Sequence, residues 1–207
     1  MSVKQILLGF LPWVAFSMIS TRVGPGAVGM AALLALVLAA VFVARSIMRG
    51  ESPKLLEVTA VITFAAIGAW ALLDPASDDF LAFYGRGAVA LILAAVIAGS
   101  LVIRPFTEQY AREAVPQQYW DSPQFHAVNR KISAAWAGAV GVMGIGHLIA
   151  GVLAAQAADN GGGHPTARPG DLIFNWVIPG LLVYATVKYS QRVVGGADHA
   201  AAVQATR

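Results

Sequence analysis

A chain of 207 residues with 57% hydrophobic and only 12% charged side chains cannot clothe a water-soluble fold, which carries about twice that charged share. There is no cysteine, which excludes disulfides, thiolate catalysis and thiolate metal sites. The net charge is +3, and its placement says more than its size.

Mean hydropathy is +0.66. Uncharged runs such as Val23 to Ala44 and Gly87 to Ile103 are long enough to cross roughly 30 Å of hydrocarbon as helix. The chain therefore reads as an all-α, polytopic membrane protein, a single transmembrane domain over 1–207. Six helices are predicted. The first runs from Lys4 to Thr21 and contains Pro12, which removes a backbone hydrogen bond and is expected to kink it. Lys4 before an apolar core resembles a signal peptide. Met18-Ile19 stand where a cleavage site needs small residues, so the helix is expected to be retained. The second span is Gly26 to Ala44. The third is Leu55 to Leu73, with Glu57 one turn inside, where a helix N-terminus favours negative charge and Lys54 is available to pair.

The fourth span is Leu81 to Ile103. Arg86 near its start is expected to reach back toward Asp78 and Asp79. Gly87-Ala88-Val89 in this span echoes Gly26-Ala27-Val28 in the second, a faint sign of internal duplication. The fifth span, Ile132 to Ala158, carries the run GVMGIGHLIAG with His147 near its midpoint. Helical steps put Ala137, Gly141, Gly144, His147 and Gly151 on one stripe. Small residues let a neighbouring backbone approach, so Gly141, Gly144 and Gly151 are candidate packing positions. The sixth span is Asp171 to Ser190, interrupted by Pro179 and carrying Asn175. Before it lies a Gly-rich loop, DNGGGHPTARPG, over 159–170.

With the N-terminus inside, eleven basic residues fall on the inner side: Lys4; Arg45, Arg49 and Lys54; Arg104, Arg112, Arg130 and Lys131; Lys188, Arg192 and Arg207. Only Arg22 and Arg168 fall outside, and Arg86, near a helix end, is left unassigned. This positive-inside bias predicts six crossings with both termini cytoplasmic, and an odd number would break it.

His147, Asn175 and Glu57 are the candidate functional residues inside the membrane, because intramembrane ionisable and polar groups need a reason. For His147 the readings are a proton relay, a substrate contact, or a neutral imidazole hydrogen-bonded to the next helix. Haem is disfavoured, since His126, His164 and His199 all fall outside the predicted spans. Trp13, Trp70, Trp136, Trp176 and Tyr84 lie near helix ends and read as an interfacial belt.

The connector 104–131 is expected to form two short amphipathic helices on the inner leaflet. One carries Phe106 and Tyr110 and stops at Pro116. The other starts at Ser122-Pro123, with Ser as cap and Pro at the first position. Phe106, Tyr110, Trp120, Phe125, Val128, Asn129, Arg130 and Lys131 are its candidate interface. Glu108, Glu113, Asp121 and His126 also occur here, without a metal or acid–base motif such as HExxH.

The connector's Pro116, Phe125, Asn129 and Trp136, with Phe10-Leu11-Pro12 and Phe16 in the first helix, resemble the bacterial intracellular septation protein A family. The resemblance implies a small, multi-pass inner-membrane protein linked to cell division and envelope maintenance, with no catalytic residues to carry over. The leading expectation is a non-enzymatic interaction or scaffold component. Its partners would be membrane lipids, other envelope membrane proteins or further copies of itself, with no nucleic acid and no cofactor. A small-solute or proton-coupled transporter is the alternative, and a lipid-modifying enzyme the third.

Overall fold

A computed structural model of the chain describes residues 3–20, 26–159 and 169–205, which are helical apart from short turns, with no strand among them. Five helices are long and apolar enough to cross a membrane: Ala27–Met48, Leu55–Leu73, Pro75–Ile103, Pro123–Ala157 and Gly170–Ala197. Arg22, His164, Arg168 and most of the Gly-rich loop lie outside the described residues.

The first predicted helix is instead two short ones, α1 (Val3–Gly9) and α2 (Leu11–Ile19). Pro12 has no N–H to give to the turn before it, and the ladder parts at Phe10. α3 (Ala27–Met48) and α4 (Leu55–Leu73) form a hairpin turned by Gly50, whose φ of 72° favours glycine. α5 (Asp78–Ile103) follows a 3₁₀ turn at Pro75–Ser77. Gly26 caps α3, whereas Gly87 sits well inside α5, so the two Gly-Ala-Val triplets hold different places in their helices.

The connector holds one short helix, α6 (Thr107–Ala111), and a 3₁₀ turn at Gln117–Tyr119. Its second expected helix is the opening of α7 (Pro123–Ala157), a continuous 35-residue helix. No Gly or Pro interrupts 124–137, so nothing breaks the ladder where the fifth span was expected to begin. The start is as read: Ser122 Oγ accepts the Phe125 N–H at 3.2 Å, with Pro123 at the first position. At 1.5 Å per residue α7 is about 52 Å long, well beyond a bilayer's hydrocarbon.

The last span is composite. α8 (Pro169–Leu172) leads into a π-helical segment, Ile173–Val177, and then α9 (Ile178–Ala205). Pro179 cannot bond the Asn175 carbonyl, and the Ile178 N–H reaches back five residues to Ile173 O. The expected proline kink is thus a π-turn one step before the proline.

The most extensive packing is α5 against α7. Gly87 lies against Leu148, Gly144 against Leu91 and Gly151 against the Phe83 carbonyl, an antiparallel seam of glycine on both sides. A second core is aromatic. Phe10 stacks on Trp136 with ring centroids 4.9 Å apart, and Trp13 and Phe16 both pack on Phe64. Trp13 and Trp136 are therefore interior residues and not members of a belt, while Trp70 and Trp176 remain exposed. Gln5 Nε2 donates to Glu113, and Gln124 Nε2 donates to Ala197 O at 3.0 Å. The start of α1, the connector and the late part of α9 thus share one end of the bundle.

Candidate functional site

Two polar clusters interrupt this apolar bundle. The first sits between α5, α7 and the π-segment. His147 is buried, ten residues or about 15 Å from the last residue of α7. Its Nδ1–H donates to Asn175 Oδ1 at 2.6 Å. Asn175 in turn donates from Nδ2 to Asp171. The acceptor role of Asn175 Oδ1 requires a proton on His147 Nδ1.

Arg86 belongs to the same cluster. It is 7% exposed, its guanidinium lies 5.5 Å from the Trp176 ring centroid, and Asp171 is close enough to act on it electrostatically. Its Nε and Nη1 have no hydrogen-bond partner among the described residues. The expected pairing of Arg86 with Asp78 or Asp79 is thus replaced. Asp78 accepts the Gly26 N–H at 2.5 Å instead, while Arg86 turns inward to the last span. Sequence separation of 85 residues hides an Arg86–Asp171 relationship. The only available signal was that each is a charge inside or beside an apolar run.

The glycine stripe lies beside this cluster but faces mostly elsewhere. Gly144 and Gly151 meet α5, Gly141 lies near Ala94, and Gly146 meets Phe174 of the π-segment. The stripe and the histidine are consequently served by two neighbours, with α5 on one side and the last span on the other.

The second cluster is the connector. Glu108 is 1% exposed and is ringed by basic side chains. Arg104 Nε donates to Oε2 at 3.1 Å, Arg112 Nη2 lies 3.8 Å from the same oxygen, and His126 Nδ1 is 2.8 Å from Oε1. Arg112 also stacks on Trp120 at 4.6 Å, and the Trp120 indole donates to Val115 O at 2.8 Å.

Four of the interface candidates are corrected here. Phe106, Tyr110, Phe125 and Asn129 are buried, and Val128 is partly so. α6 is too short to float on a leaflet, and serine and threonine stitch it into the bundle. The Phe106 N–H bonds Ser100 Oγ at 3.2 Å, Thr107 Oγ1 donates to Asn129 O at 3.0 Å, and Thr107 and Ser133 hydroxyls are 2.9 Å apart. Arg130 and Lys131 are exposed on α7.

Tyr110 shows the cost of this burial. Its hydroxyl has no partner among the described residues, and burial first, then the carboxylates of Glu57 and Glu113, pushes its pKa well above the ordinary tyrosine value.

Glu57 is a buried structural link. Its Oε2 accepts from Ser46 Oγ and from the Lys54 backbone N–H, each at 3.1 Å. The Lys54 ammonium is not its partner and sits 2.6 Å from Glu113 Oε1. Glu57 caps α4 and ties it to α3, while Lys54 ties α4 to the connector. No three His, Asp or Glu side chains converge on a metal-sized site among the described residues.

The Arg86–His147–Asn175–Asp171 cluster can pass or hold a proton. The Glu108 cluster can hold an anion on its spare positive charge. No protein-family model matches the chain, and no curated protein or solved structure is significantly similar to it.

Proposed function

We propose that the chain is a non-enzymatic bacterial inner-membrane protein of six spans, both termini cytoplasmic, that works by binding other membrane proteins of the envelope. The observation that carries this reading is the last span. Only 11% of its window is buried, against 39–44% for the other four long helices. Its exposed side presents Trp176, Leu181 and Tyr184, and nothing among the described residues lies within 4 Å of where a Gly180 Cβ would be. A small residue on an uncovered membrane helix permits close approach of another helix. The resemblance to the septation protein A family supports a role in division or envelope maintenance.

Six spans are supported by the shared end of α1, the connector and α9. They are also supported by the outward side of α1 and α2, where Leu7, Leu8, Leu11 and Val14 are exposed and apolar. Reporter fusions after Arg207 and within Gly161 to Gly163 are expected on opposite sides of the membrane, and the same side for both would overturn six spans. A photocrosslinker at Leu181 in living cells is expected to give discrete protein adducts. Adducts to lipid alone would remove the interaction reading.

The buried Arg86–His147–Asn175–Asp171 cluster favours a second reading, a proton-coupled transporter. A π-turn carrying a polar side chain is a common feature of functional helices. Under that reading His147→Asn abolishes activity while the protein remains folded.

A further inference from the structure

The end of α5 and the first turns of α7 enclose a cleft of about 510 Å³. Its floor is basic: Arg104, Arg112, His126 and Arg130 line it around the buried Glu108. One carboxylate faces three arginines, which leaves two positive charges before His126 is counted. Glu108 takes only part of each guanidinium. It bonds Arg104 through Nε and approaches Arg112 through Nη2, and Arg112 Nε has no hydrogen-bond partner among the described residues. Arg112 is further held over the Trp120 ring. Arg130 makes no hydrogen bond or ion pair among the described residues. Guanidinium forks held in place by other contacts are suited to bidentate binding of a phosphate.

One wall of the cleft is the last turn of α5, where Val102 and Ile103 are 85% and 92% exposed. These aliphatic side chains stand at the end of a membrane helix, next to the arginines. A soluble phosphate would use the floor and leave the wall bare. An amphiphile would use both.

We propose that this cleft is a binding site for the phosphate of an anionic phospholipid, with Arg104, Arg112 and Arg130 as the clamp and an acyl chain along Val102 and Ile103. The site is independent of any protein partner on the last span. It requires only that α5 end at a membrane surface.

The test uses the full chain in mild detergent. Diheptanoyl phosphatidylglycerol, diheptanoyl phosphatidylcholine and inorganic phosphate are titrated, with bound molecules counted by native mass spectrometry. One tight phosphatidylglycerol is expected per chain, with weaker phosphatidylcholine binding and no displacement by equimolar phosphate. Arg130→Gln removes one charge-assisted contact and is expected to weaken phosphatidylglycerol about tenfold. Arg130 is exposed and unbonded, so the variant keeps its fold, as an unchanged melting temperature will verify. Lys131→Gln removes an adjacent charge that does not line the cleft and is expected to change affinity less than about twofold. Equal losses for the two variants would reduce the effect to general surface charge and overturn the site. Equal affinity for the two lipids would also overturn it, and displacement by equimolar phosphate would overturn the lipid assignment in favour of a free anion.

Discussion

The α5–α7 seam predicts opposite outcomes for one substitution at two positions of the same helix. A Cβ on Gly151 would fall on the Phe83 carbonyl oxygen, whereas a Cβ on Gly138 meets nothing within 4 Å among the described residues. Both changes are Gly→Ala in the body of α7, so both gain the same helix propensity, up to about 1 kcal/mol. Only Gly151→Ala collides, and it collides with backbone, which no rotamer change relieves. α5 and α7 must part by about 1 Å, and a gap of that size forfeits roughly a quarter to a half of each contact across it. The close approaches of Gly87 to Leu148 and Gly144 to Leu91 lie on the same seam, so the loss extends beyond one residue. Overpacking of this kind costs about 1–3 kcal/mol. At about 2–4 °C per kcal/mol for a chain of this size, the two variants should differ in melting temperature by about 2–12 °C. Thermal unfolding in detergent followed by tryptophan fluorescence measures it, with Gly138→Ala at or slightly above wild type. Equal melting temperatures would falsify the close approach of the two helices.

His147→Asn removes a hydrogen bond that is worth about 0.6 kcal/mol on average inside a membrane, so its melting temperature should fall by no more than about 2 °C. Gly144→Leu, which must displace Leu91 and crowd its backbone N at 3.1 Å, should fall much further, and the reverse order would refute the packing assignment. Tyr110 is held neutral by burial and by Glu57 and Glu113. Its folded pKa lies above the unfolded value of about 10, so its contribution to stability is complete below pH 10 and is lost as pH rises beyond it. Absorbance at 295 nm should show Tyr110 un-ionised at pH 11 in the folded protein, and Tyr110→Phe should remove that increment of alkaline destabilisation; a Tyr110→Phe protein with the same alkaline profile as wild type would refute the assignment. Ser122→Ala removes the α7 cap and should cost about 1 kcal/mol, read as a lower melting temperature; an unchanged value would mean that the cap is fully replaced by water.

Local chemistry was enough to read several parts of this protein from its amino acids. The run from Leu55 to Leu73 is a helix with the predicted bounds, α5 ends at Ile103, and α7 begins at Ser122-Pro123 because a side-chain oxygen and a missing N–H act within one turn. Pro12 and Pro179 marked the two irregular spans for the same reason, although the breaks fall at Phe10 and across the π-segment Ile173–Val177. The tertiary structure decided which faces meet. Lipid and protein interior are both apolar, so a membrane helix carries no contrast that tells its buried side from its lipid side. Trp13 and Trp136 could therefore pass for belt residues until Phe10 and Phe64 were found against them. The connector could pass for an amphipathic surface until Ser100, Asn129 and Ser133 were found to hold Phe106 and Thr107 in place. Arg86, His147, Asn175 and Asp171 come from three separate stretches of chain, and only the antiparallel approach of α5 and α7, with the π-turn beside them, brings their polar atoms together.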